Sequence, residues 1–285
     1  MPVVSEAVPI TSVFGEPHKE VSQHTFVGGN FFMQRLLNRF QSELGVEALP
    51  QELESAAART VDFLKASTAA ISVDNLEQRA GRLEAVIAVQ NLSGHKFPTA
   101  YPARRAWLHV TVRDRNNRLL FESGALEPSG AIKGNDNDED ATRYEPHHRE
   151  VTSPGQVQIY EAVMVDSSGT LTTGLLSAVK YIKDNRLLPS GFDKQAADRD
   201  VAVHGDAAQD PDFDDRGDRV QYSVGVGEAQ GPFQVEAELW YQTISYRWAQ
   251  NLRRYDASEP KRFVQYYETV SPFSGLMLVR ATATR

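Results

Sequence analysis

The spacing of apolar residues changes character twice along this chain. Through residue 23 no period is sustained, and Pro2, Pro9 and Pro17 oppose helix, which predicts an extended entry segment lying along a surface. From Phe31 onward, Phe32, Leu36, Leu37 and Phe40 recur at helical spacing, and Gly45 supplies a stop. Pro50 stands at a helix-entry position before a second stripe of Leu53, Ala57, Val61 and Leu64. The two helices read as a hairpin.

Beyond Ala69 the period becomes two. The runs 71–78, 82–91, 106–114 and 118–124 alternate as strands, the last two joined at Asn116-Asn117. Runs 156–166 and 170–182 continue the pattern around Ser167-Ser168-Gly169, and 183–194 is a loop bearing Pro and Gly. Residues 219–227 and 233–242 read as a further strand pair. A helix is predicted over 244–255 from Ile244, Trp248 and Leu252, and a closing strand over 275–285. The expected fold class is therefore mainly β, a β-sandwich-like domain with helical insertions over 69–285, preceded by an extended segment and a short helical hairpin over 1–68.

Composition narrows the function classes. With 41% hydrophobic content the chain can fill a sizeable core, and 38 acidic against 30 basic residues, a net charge of -8, argues against nucleic acid as a partner. The absence of cysteine excludes a disulfide, a thiolate metal site, a thiol nucleophile and covalent attachment of c-type haem within this chain. Residues 1–20 lack the basic start and apolar core of a signal peptide, and no run approaches the roughly 20 apolar residues of a spanning helix, so no membrane insertion is expected. Oligomeric state is left open.

Two histidine-bearing stretches carry the candidate chemistry. In HTFVGGNFF, residues 24–32, His24 precedes a Gly28-Gly29 turn that lets the backbone approach a flat group closely, and Asn30 is placed to cap the helix at Phe31. In NLSGHKFPTAYPARRAWLHV, residues 91–110, His95 is followed by Lys96, Arg104 and Arg105, cations able to hold carboxylates. The competing readings are a hydrogen-bonded core histidine and solvated cations. His109 is expected to be structural. His147 and His148 should point to opposite sides and not chelate one ion, and His18 and His204 have no motif around them.

Two acidic stretches offer oxygen donors of the kind calcium takes: Asp136, Asp138 and Asp140 in one, Asp210, Asp212, Asp214, Asp215 and Asp218 in the other. Neither follows the EF-hand pattern, and solvated acidic loops are the competing reading. No GxSxG, P-loop or HExxH motif is present, and no catalytic residue is nominated.

The stretches at 24–32 and 91–110, with YIKDNRLLPSGFD at 181–193 and ELWYQTISYRWAQNL at 238–252, occur in an order that resembles the cysteine-free C-terminal region of multihaem c-type cytochromes of the cytochrome c-552/c-554-like type. The resemblance spans nearly the whole chain. In that family the last CxxCH often runs into Met-Pro, and this chain begins Met1-Pro2. The resemblance implies a periplasmic location, electron transfer between haems, and packing on a haem-bearing domain or subunit, with haem c present only where such a region carries it. It implies His24, and less directly His95, as axial ligands to haem iron, with Lys96, Arg104 and Arg105 near haem propionates. The alternative is a stand-alone β-sandwich binding module, calcium-binding through the acidic loops, with no redox role.

Overall fold

The computed structural model describes residues 3–11, 13–23 and 26–285. The proline-bearing entry segment holds two short strands, β1 (Val8–Pro9) and β2 (Pro17–His18), paired antiparallel. Asn30 then caps α1 (Phe31–Arg39), its Oδ1 accepting the Met33 N–H at 3.0 Å. A short α2 (Gln41–Leu44) ends at Gly45, which takes φ +62°. Pro50 opens α3 (Pro50–Ser67), where the missing N–H has no partner to lose, and Glu52 accepts the Leu49 N–H. The predicted hairpin is present, and its buried Phe31, Phe32, Leu36 and Leu64 join the same apolar cluster as the sheets.

Two sheets enclose that cluster. One has the order β3 (Ala69–Arg79), β4 (Arg82–Asn91), β12 (Asp218–Gly225), β7 (Glu150–Val151). The other runs β14 (Gly275–Thr284), β13 (Gln234–Gln242), β5 (Arg105–Arg113), β6 (Leu119–Ser123), with β8 (Ile159–Tyr160) also pairing β5. Alternation places Leu83, Ile87 and Val89 of β4, Val220, Tyr222 and Val224 of β12, Leu108, Val110 and Val112 of β5, and Val235, Ala237 and Leu239 of β13 inside. A third sheet has the order β10 (Leu171–Thr172), β9 (Ala162–Val165), β11 (Lys180–Asp184). The fold is thus β-rich with helical insertions, as the alternation predicts.

Two expectations are corrected. Residues 219–227 and 233–242 do not pair with each other; β12 lies against β4, whereas β13 lies between β5 and β14. Both strands are buried on the core-facing side, and such strands fit either sheet by pattern alone. The helix read at 244–255 is shorter, α5 (Tyr246–Asn251) followed by a turn of 3-10 helix. A longer helix, α6 (Ser258–Val270), follows it, and Pro260 sits in its first turn, where a helix tolerates proline. Its Tyr267 meets Phe32 edge-on at 5.6 Å and its Tyr266 stacks on Phe40 at 4.1 Å, closing the helical hairpin over the core. One further short helix, α4 (Asp136–Glu139), lies in the first acidic stretch. Among the described residues no helix is long and apolar enough to cross a membrane.

Candidate functional site

A buried polar cluster centres on His147, in a segment whose two histidines diverge as expected. His148 turns to Glu145, while the His147 side chain is fully buried and meets Phe213 edge-on. Its Nε2 lies 3.1 Å from Asp210 Oδ2. Its Nδ1 lies 2.8 Å from Gln158 Nε2 and 3.1 Å from Asn185 Nδ2.

The orientation of both amides is fixed by backbone partners. Gln158 Oε1 accepts the His148 N–H, and Asn185 Oδ1 accepts the Glu161 N–H while its Nδ2 donates to Ile159 O. Two N–H donors therefore face Nδ1, which must accept, so Nε2 carries the proton and donates it to Asp210.

Asp218, the first residue of β12, completes the cluster. Its Oδ2 accepts from Gln158 Nε2 and Tyr160 Oη, both at 2.8 Å, but its buried Oδ1 has no hydrogen-bond partner, nor does the buried Tyr222 Oη. Gly217 makes this entry into β12 possible: it adopts φ +126°, and a Cβ there would lie 1.9 Å from Val89 O. Asp210 closes the preceding turn, its Oδ1 accepting the Asp212 N–H at 2.9 Å. Burial pushes both carboxyls up. At Asp210 it is outweighed by the hydrogen bonds from His147 and the Asp212 N–H, leaving that group below its ordinary value, whereas at Asp218 burial wins and the group is raised.

One donor atom each from His147, Asp210 and Asp218 lies within 4.8 Å of the others, a spacing that suits a metal ion. The hydrogen bonding does not. A histidine that binds a metal through Nε2 keeps its proton on Nδ1 and donates it to an acceptor, whereas here Nδ1 meets two donors. The cluster is a polar lock joining four segments of chain. Sequence reasoning named Asp210 and Asp218 only as oxygen donors of an acidic stretch and did not join them to His147; the available signal was Gln158 between buried Val157 and Ile159.

The residues singled out from sequence are scattered. His24 lies outside the described residues. Asn30 is the α1 cap, and the Gly29 carbonyl beside it accepts from Tyr241 Oη at 3.0 Å. A Cβ on Gly29 would come 3.1 Å from both Arg104 Nη1 and Tyr241 Oη, so the glycine turn and Arg104 do come together. Burial there pushes the Tyr241 hydroxyl up to about 12, against the opposing pull of Arg104. His95 is exposed in its loop, with Nδ1 3.4 Å from Ser93 Oγ. Lys96 bonds Asp184 at 3.0 Å and the Ala202 carbonyl at 3.1 Å; burial lowers its pKa, and Asp184 opposes that shift.

Arg105 and the first acidic stretch require correction. Arg105 is buried, not presented beside Arg104, because adjacent residues entering a strand face opposite ways. Its Nη1 and Nη2 hold Asp138 Oδ1 and Oδ2 at 2.9 and 2.8 Å, and its Nε donates to Gln242. An external propionate has no route to it. Asp136 instead pairs with Arg143, and Asp140 accepts from Thr142, so Asp136, Asp138 and Asp140 serve three different partners and form no calcium cage. In the second stretch Asp214 pairs with Arg216 and Asp215 accepts the Gly191 N–H, away from the buried Asp210 and Asp218. Neither stretch is the uniformly solvated loop its composition suggests.

No protein-family model and no curated protein sequence matches the chain. Among solved structures it is similar to a penta-heme cytochrome c552 from Thermochromatium tepidum, with a TM-score of 0.46 and 13% sequence identity over 79% of this chain. The matched part is 41% of that cytochrome, so the likeness covers less than half of its neighbour.

Proposed function

We propose that this chain is a haem-free part of a periplasmic multihaem c-type cytochrome assembly, packing on a haem-bearing region through its N-terminal segment and supplying His24 as a distal axial ligand. His95 is the second candidate. The observation that supports this reading is the state of the segment before α1. Val3, Ile10, Val13 and Phe14 are 59 to 85% exposed along a stretch whose regular structure is two short strands, while Phe31 and Phe32 just after it are fully buried. Exposed apolar side chains on a segment tethered at one end to the core suit an apolar partner surface; each such side chain gains roughly 1.5–3 kcal/mol when fully buried.

The ordered motifs add the chemistry of that partner. A haem presents flat apolar faces, an open iron position and carboxylates at its edge. His95 is exposed, and Arg104 lies half-buried beside Gly29. The loss of Arg105 from the exposed set leaves Arg104 as the arginine for a propionate.

The test is titration of the protein with a ferric c-type haem peptide that has one open axial position. Conversion of the high-spin to the low-spin spectrum is expected with wild type and His95→Ala, and its loss with His24→Ala. No conversion at excess protein, or full conversion with His24→Ala, overturns the ligand assignment.

A further inference from the structure

Asp210 and Asp218 flank one imidazole N–H in a site closed to water, yet they are supplied very differently. Asp210 has two hydrogen-bond donors, the His147 Nε2–H and the Asp212 N–H, and on its outer side an ion-pair partner, Arg149, at 3.5 Å. Asp218 receives a hydroxyl from Tyr160 and an amide N–H from Gln158 on one oxygen and nothing on the other, 3.9 Å from His147 Nε2. The groups facing it are His147, Asp210, Tyr160 and Tyr222. None of these is a fixed positive charge, and the Nδ1 of His147 faces two amide donors rather than an acceptor. Lys194, the next cation, is turned to the carbonyls of Ala207, Asp210 and Phe213.

We infer that the two carboxyls divide the site unequally, Asp210 ionised and Asp218 held as a neutral carboxylic acid at neutral pH, so that one buried proton keeps the clasp around His147 closed. Two like charges that share a desolvated site do not both ionise, and the better-solvated one keeps the charge. A neutral Asp218 presents a carbonyl oxygen to Tyr160 and Gln158 and an O–H at Oδ1.

The clasp joins the 145–148 segment, β8, the end of β11 and the 206–218 loop, so its protonation state acts on all four. The raised Asp218 gives the sign. Its contribution to stability is full below the ordinary aspartate range and is lost as pH rises through its folded value.

Asparagine reproduces a neutral acid, carbonyl for carbonyl and NH2 for OH, but not a carboxylate. At position 218 it keeps every observed bond; at position 210 its NH2 faces either the His147 Nε2–H or the Asp212 N–H. The experiment compares melting of wild type, Asp218→Asn and Asp210→Asn from neutral to alkaline pH, with infrared spectra of wild type and Asp218→Asn at neutral pH and metal analysis of the purified protein. Expected are a Tm for Asp218→Asn at or above wild type, with the advantage growing as pH rises, a Tm several degrees lower for Asp210→Asn, and a protonated-carboxyl band in wild type that Asp218→Asn lacks. Equal destabilisation by both variants, absence of that band, or one tightly bound metal ion per chain overturns the inference.

Discussion

Removing the Asp138 carboxylate should be among the most destabilising single changes in this protein. Arg105 and Asp138 form a two-pronged pair at 2.9 and 2.8 Å with side chains 2% and 1% exposed, and Asp138 Oδ2 also accepts the Ile132 N–H at 2.8 Å. Asp138→Ala leaves a guanidinium buried with Gln242 and the Gly130 carbonyl as its remaining partners, and breaking a buried pair on one side costs about 3–5 kcal/mol. At roughly 2 °C or more per kcal/mol for a chain of this size, Tm falls by on the order of 10 °C. The double variant Arg105→Met with Asp138→Leu removes both charges and should recover most of the loss, because a packed apolar pair often matches a buried ion pair. The assay is urea denaturation followed by fluorescence, run with calcium and with chelator. A loss below about 1 kcal/mol for Asp138→Ala, the value of an exposed pair, would refute the buried-pair reasoning, and calcium-dependent stability of wild type alone would restore Asp138 to an ion site.

Two further outcomes follow from the outer sheet face and from β12. His109 lies 2.9 Å from Glu238 and 3.2 Å from Glu122; burial lowers it, but the two carboxylates prevail and raise it. Its hydrogen bond to Glu238, resisted by burial and joined by Trp240 and Arg280, holds that carboxyl down at about 2. Stability from His109 is thus fully present below its ordinary value and lost as pH rises through the higher folded value, while that from Glu238 persists above its ordinary value and is lost as pH falls toward about 2. Proton NMR should show the His109 ring titrating above a histidine peptide, and Glu238→Gln should bring it down; an unchanged titration in Glu238→Gln would remove the pairing. Gly217→Ala should leave little soluble protein, because its Cβ would lie 1.9 Å from Val89 O at φ +126°; a soluble variant melting near wild type would contradict that placement.

The legible parts of the sequence were those whose cause is local. Asn30 three residues before Met33, Gly45 after Leu44 and Pro50 ahead of its helix are end signals that act within one turn, and all three stand where they were read. The Asn116-Asn117 and Ser167-Ser168-Gly169 turns likewise join β5 to β6 and β9 to β10. Helix α6 was missed although Phe263, Val264, Tyr267 and Val270 carry its stripe, because Pro260 reads as a breaker until its place in the first turn is known.

Polar residues divided differently. His109 on an outer strand face followed from alternation, whereas Arg105, Asp138, Asp210 and Asp218 read as solvated or ligand-facing groups and are buried, as is His147, for which the sequence offered no partner. Their burial depends on partners remote in sequence: Asp138 and Gln242 for Arg105, Asn185 and Asp210 for His147. Period and end signals determined that this chain builds a helical hairpin and a set of alternating strands, since backbone geometry repeats every 3.6 or every two residues whatever lies elsewhere. Which strands share a sheet, which charges go inside, and where one proton closes a carboxyl pair were decided only in the tertiary structure, because each needs a donor or acceptor brought from a distant part of the chain.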